Sequence, residues 1–311
     1  ESFAGTLFRR FRKLIRSWRA DAREVKGSSL DEERMGAFLA LLRRFDVLVL
    51  PVCVDMGLHT ENAVEAHKQE QADRFLRSVH PDSGPIFKEE VSALAASLRT
   101  LAPNLYLQAS ALTQVVQRVM KLGTLYYVQR IPSALGSFRW VLDAKDRRIT
   151  EYEELWSKIV FPILQTMSIR SPLTALEGAD YSAFDKKFLD EGELPAHLRA
   201  HLPKDQQGKD APPISLNRIL ADLRFVQSER YSGVHMVDIA CSAITRACNG
   251  TIKPRGVDGL GRVMCQDKKG SNALHFIALQ NVPAKANPPY RGLVRACDFE
   301  CKKMVTRGPR A

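Results

Sequence analysis

The spacing of apolar residues divides the chain into helices separated by a few short strands. Between Thr6 and Ala22, Leu7, Phe11, Leu14, Ile15, Trp18 and Ala22 recur at three and four residues, the period of a helix with one apolar face. The preceding Phe3-Ala4-Gly5-Thr6-Leu7 reads as the end of a strand. Ser29 followed by Asp31, Glu32 and Glu33 marks the start of a second helix, since carboxylates suit the positive end of a helix dipole; Met35, Phe38, Leu39, Leu42 and Phe45 continue it. Val47 to Val54 is a continuous β-branched and aliphatic run that predicts a buried strand ending at Asp55. Helical patterns follow over 60–79, 86–100 and 105–122.

Ser137 to Asp143 reads as a second strand. A helix over Thr150–Met167 follows, with Thr150 as cap and Glu153 closing a capping box. Residues 186–213 are polar and end in Pro212-Pro213, which predicts an exposed insertion. Leu223–Val226 is a short strand and Gly233–Asn249 a strong helix stopped by Gly250. Ala273–Leu279 is one more strand, and the last twenty or so residues read as a basic, proline-broken, poorly packed tail. Strands separated by helices predict an α/β protein. One domain would span 1–250, with a helical insertion over about 60–130, and 251–311 would form an extension.

Charge narrows the choice of partner. The 311 residues carry 46 Lys and Arg against 35 Asp and Glu, a formal net charge of +11. Such a surplus favours anionic partners, nucleic acid before anionic membrane. Arg9, Arg10, Arg12, Lys13, Arg16 and Arg19 crowd the polar face of the first helix. That helix is expected to cover a sheet with its apolar face and to present cations to solvent or phosphate. A membrane-surface helix or a transit peptide is the alternative. No stretch reaches the roughly 18 consecutive apolar residues of a membrane span. Six cysteines without CxxC spacing suggest a reduced, cytoplasmic protein. Cys297 and Cys301 could share a helix face as half a zinc site, but no second ligand pair stands near them in sequence.

Four carboxylates stand at element ends or on an apolar helix: Glu24, Asp55, Asp143 and Asp238. Asp238 lies in Val234-His235-Met236-Val237-Asp238-Ile239-Ala240-Cys241, a segment that demands burial, so the charge must be compensated by a metal or by an arginine such as Arg246 or Arg139. His235 lies one turn before it, on the same side. Asp143 ends a strand beside Lys145 and Asp146, where a solvated turn is the plainer reading; Glu24 and Lys26 flank Gly27, where a surface ion pair is. Isolated acids on separate elements of a basic α/β protein suggest Mg²⁺ or Mn²⁺ acting on a phosphodiester, with two ions about 4 Å apart activating water and the leaving oxygen. There is no Walker A loop, G-x-G-x-x-G, G-x-S-x-G or H-E-x-x-H motif, and Gly256 to Gly261 has the wrong glycine spacing for phosphate binding.

Three pieces resemble the bacterial and phage family known as domain of unknown function 3800. They are Glu24-Val25-Lys26-Gly27-Ser28, Phe138 to Lys145, and Phe225 to Gly250, the last including Gln227-Ser228 and Gly233 to Asp238. His235 and Val237 depart from the family's usual Gln and Ala. The resemblance implies a ribonuclease-H-like fold, a mixed central sheet with flanking helices, and a metal-dependent nuclease acting on RNA or DNA in a setting such as phage defence. Glu24, Asp143 and Asp238 would be the metal ligands, and Lys26, Lys145 and His235 phosphate or proton-transfer partners. The family's opening Asp-Glu-Ser-Gly strand has no counterpart before Phe3. The chain is then expected to be either a piece of a longer one or a protein with an incomplete site. In the second case it would be a non-catalytic nucleic-acid-binding or toxin-like module.

Overall fold

The first helix, α1 (Phe3–Trp18), is fixed by a stripe at four-residue spacing: Leu7, Phe11 and Ile15 are buried, and Arg9, Arg10, Arg12, Lys13 and Arg16 are exposed. The helical period reaches back to Phe3, so the strand end expected over Phe3–Leu7 is absent. The structure, a computed structural model, describes residues 3–18, 25–77, 79, 84–144, 146, 150–170, 173–189, 214–267, 271–279 and 288–305. Glu24, Lys145 and nearly all of the polar insertion expected over 186–213 lie outside the described residues.

Helix α2 (Glu32–Arg44) starts at Asp31, whose side chain accepts from the Arg34 N–H at 2.8 Å. Strand β1 (Val52–Val54) leads to helices α3 (Glu61–Arg77), α4 (Pro85–Thr100) and α5 (Pro103–Arg118). A π-helical turn over Val119–Gly123 joins α5 to α6 (Thr124–Val128). Strand β2 (Val141–Asp143) is followed by α7 (Glu151–Leu155), a second π-helical turn over Trp156–Val160, and α8 (Phe161–Arg170). Thr150 caps α7, and Glu153 reaches back to the Thr150 N–H at 2.8 Å. The remaining elements are α9 (Leu216–Ile219), β3 (Arg224–Val226), α10 (Ser232–Cys248), β4 (His275–Ile277) and α11 (Arg291–Glu300). Gly250 follows α10 with φ +67°, the left-handed conformation that ends a helix.

The fold is mixed α/β with helix in large excess. Among the described residues the strands form two separate parallel pairs, β1 with β4 and β2 with β3, in the registers Cys53↔Phe276 and Leu142↔Phe225. A single mixed central sheet is therefore not seen among them. Parallel pairing fits the helical connections that separate the partners in sequence.

Two main cores hold the elements. One joins α3, α4, α5 and the α7–α8 segment around Ala72, Ala95, Leu98, Tyr106 and Val160. The other packs α1, α2 and α10 around Phe11, Met35, Phe38, Ile239 and Ala243, with Val263, Met264, Leu274 and Cys297 from the C-terminal part. Helix α1 thus lies on α2 and α10 rather than on a sheet. The loosely packed tail is also corrected over 288–305. Cys297 of α11 is buried, and Gly261 is so close that an added Cβ would meet the Cys297 backbone at 2.7 Å. Beyond α11 the Lys302 N–H donates to the Met264 carbonyl at 2.8 Å, and the Lys302 ammonium reaches Asp46. The prolines at 288 and 289 precede the helix and leave it unbroken.

Candidate functional site

Helix α10 is the element on which the sequence candidates depend. The segment before α2 runs along it. Val25 lies against His235, and the glycine at 27 lets the turn approach so closely that a Cβ there would sit 2.6 Å from the Ser242 Cβ and 2.9 Å from the Ile239 Cα. The Arg246 guanidinium then ties that turn down, donating to the carbonyls of Gly27 at 3.1 Å and Leu30 at 2.7 Å. The close approach that Gly27 permits is therefore to a helix. Strand β2 also packs on α10.

His235 is buried, edge-on to the Phe11 ring, with Nε2 at 2.9 Å from the Val25 carbonyl oxygen and 3.2 Å from its nitrogen. One of these two bonds forms, according to which ring nitrogen carries the proton. This places His235 in the core as an anchor for Val25. Lys26 is exposed at the turn.

Asp238 is half-buried and has no ion pair among the described residues. The expectation that its surroundings demand full burial is overturned: its neighbour Val237 is 60% exposed and Cys241 is also open. With water at hand the carboxylate needs neither an arginine nor a metal. Arg246 is engaged elsewhere, as above. Cys241 faces a cleft whose walls still hold it in apolar surroundings; this burial, then the Asp238 charge, raises its thiol. Asp143 is exposed at the end of β2, where its charge helps burial raise the Tyr152 phenol.

A metal centre needs a set of ligands at one point. Among the described residues no three of His, Cys, Asp and Glu are grouped to hold an ion. Asp143 and Asp238 do not make such a centre with any described third ligand, and Glu24 lies outside the described residues. Cys297 is buried and the Cys301 thiol donates to the Asp298 carbonyl at 3.2 Å, so this pair is structural too.

Several features escaped the sequence reading. A cleft of about 970 Å³ opens beside α10, bordered by every residue from Val47 to Gly57, by Val115, Val119, Gly123 and Tyr127 of the α5–α6 segment, and by Leu7 and Phe8 of α1. Asp55 sits at its rim as a structural acceptor, taking hydrogen bonds from the Gly57 N–H at 3.0 Å and the Tyr290 hydroxyl at 2.9 Å. The Tyr290 ring stacks on Phe276 at 4.3 Å, and its phenol is pushed up to about 12 by burial and by Asp55. Arg118 is buried, and its Nε and Nη2 have no hydrogen-bond partner among the described residues. Its only sequence signal is a lone cation in Val115-Val116-Gln117-Arg118-Val119.

No family model, no curated protein and no solved structure matches this chain. No helix of the described residues is long and apolar enough to cross a membrane.

Proposed function

We propose that the protein binds nucleic acid through the exposed face of α1. The observation that carries this reading is that Arg9, Arg10, Arg12, Lys13 and Arg16 are all exposed on a helix whose other side is buried at Leu7, Phe11 and Ile15. The helix carries no Asp or Glu of its own. A rigid cationic ridge meets a phosphate backbone by releasing its condensed counterions, which requires no base contacts and so no sequence preference. The surplus of +11 works in the same direction. The test is a mobility-shift titration with a duplex DNA, a single-stranded DNA and a structured RNA. Wild type binds at least one of them, and Arg9→Glu/Arg12→Glu/Arg16→Glu lowers the affinity at least tenfold. Equal affinity of the two proteins would reject the reading.

A second reading, a ribonuclease-H-like nuclease using Mg²⁺ or Mn²⁺, is favoured by one packing relation. Helix α10, which carries Asp238, touches both β2, which ends in Asp143, and the turn that follows Glu24. In this reading Glu24 completes the acidic set, with Lys26 and Lys145 toward phosphate. His235 is no longer offered a role in proton transfer, because it is buried against Val25. Divalent-ion-dependent cleavage that is lost in Asp238→Asn and in Asp143→Asn supports it. Metal-independent cleavage, or none, leaves the binding module alone.

A further inference from the structure

Cys53 of β1 and its register partner Phe276 of β4 both border the large cleft, so one of its walls is a face of that strand pair. Helix α10 supplies another through Val237, Ala240, Cys241, Ile244 and Cys248, which recur at three and four residues and so share one side of the helix. Met56 and Val237, at the border, are 57% and 60% exposed. A cleft of about 970 Å³ with apolar walls and few polar groups has the size and make-up of a small-molecule site. Among the described residues that border it, one carries a formal charge, and that one is a carboxylate, Asp55. No Lys, Arg or His borders it, although the chain has a surplus of +11. Asp55 accepts one hydrogen bond on each oxygen, from the Gly57 N–H at Oδ1 and from the Tyr290 hydroxyl at Oδ2. Both donors are neutral. A carboxylate has about four acceptor positions, so each oxygen keeps one for a further donor.

We propose that this cleft binds a small amphiphilic cation, an apolar molecule with a single amine, whose ammonium donates to Asp55 and whose body lies against the β1–β4 face and α10. Two properties of the cleft select that ligand: its walls are apolar, and its one charge is negative. A neutral apolar molecule would cover the walls but take water from the carboxylate and offer nothing in return, which is costly. A fatty acid or another anion would set like charges side by side. An ammonium meets both needs. It supplies N–H donors for the open positions on Asp55, and such charge-assisted bonds are stronger than neutral ones. The carboxylate is directed at the cleft and not away from it. Its Tyr290 partner borders the cleft, and its charge adds to burial in raising the thiol of Cys248, on the α10 wall.

The test uses the full chain at pH 7 and three probes that share one alkyl chain, decylamine, decanol and decanoate, each kept below the concentration at which it forms micelles. Calorimetric titration should show decylamine binding at one site per chain, at least tenfold more tightly than decanol and more tightly still than decanoate. Asp55→Asn should lower the decylamine affinity at least tenfold and bring it to that of decanol. A second measurement locates the ligand and needs no variant. Cys241 is exposed on the α10 wall, and decylamine should slow its alkylation by N-ethylmaleimide at least fivefold. Decanol or decanoate binding as tightly as decylamine overturns the proposal. So does an unchanged decylamine affinity in Asp55→Asn, or alkylation of Cys241 at the same rate with decylamine as without it. Absence of decylamine binding overturns it too, and a dimer that decylamine dissociates does so by giving the cleft to a second copy.

Discussion

At the scale of single residues, close packing around α10 makes the sharpest claims. Gly27→Ala puts a methyl group 2.9 Å from the Ile239 Cα, which is backbone and cannot rotate away. A cost of about 1–3 kcal/mol is expected, the usual range for overpacking, read from urea unfolding. Ser242→Gly in the same chain recovers only part of it. Asp238→Asn is expected to change stability by no more than about 0.5 kcal/mol, as for a substitution outside any buried network. A loss of about 3–5 kcal/mol would mean that a buried ion pair had been broken. Asp46 behaves differently. Partial burial raises its carboxyl, but the Lys302 and Tyr126 hydrogen bonds and the Lys302 and Arg130 charges outweigh this and hold it below the usual carboxylate range. A folded-state pKa below the unfolded one stabilises above the unfolded value, and that stabilisation disappears as pH falls through the folded one. Wild type should therefore be more stable than Asp46→Asn at pH 7, and the two should converge below about pH 4. A gap unchanged down to pH 2 contradicts the role given to Lys302. None of this was legible from the sequence: Asp46 meets Lys302 only through the fold. The sequence also made Asp238 look buried, because its apolar neighbours Val237 and Cys241 gave no sign of opening on a cleft.

At the scale of elements, local chemistry was the legible part. The Thr150–Glu153 capping box and the Gly250 stop stand where the residues predict them, because each acts within a few positions of the chain. Strand partners were not legible, since β1 and β4 are joined across more than two hundred residues. The C-terminal helix was missed because its prolines lie ahead of it, and because what buries it, Gly261 and Cys297, is a tertiary contact. Helix α1 carries a buried apolar face and an exposed cationic face in one element. Phe11→Ala empties a site at 1% exposure against Phe38 and His235 and should cost about 3–5 kcal/mol in urea unfolding. Arg9→Glu/Arg12→Glu/Arg16→Glu alters only the exposed side and should melt as wild type does. A comparable loss in the charge variant would show that those arginines hold the fold, removing the ground for treating them as a ligand surface.

At the scale of the whole molecule, the described residues hold two large apolar cores and a third, smaller cluster of Leu122, Leu125, Tyr126, Cys265 and Met304. The cations Arg9, Arg10, Arg12, Lys13 and Arg16 of α1 are exposed, outside them. The α/β class followed from the alternation of strand and helix patterns. The arrangement of the strands did not, because separate parallel pairs and one mixed sheet leave the same pattern along the chain. The partner class rests on charge, which is a property of the whole surface, so its most direct test is ionic. On duplex DNA, log K against log[salt] should fall with a slope of about −4.5 if all five α1 cations meet phosphates, and of about −2 in Arg9→Glu/Arg12→Glu/Arg16→Glu. A slope that is steep and identical in the two proteins would place the nucleic-acid contact elsewhere on the molecule and contradict the role assigned to α1.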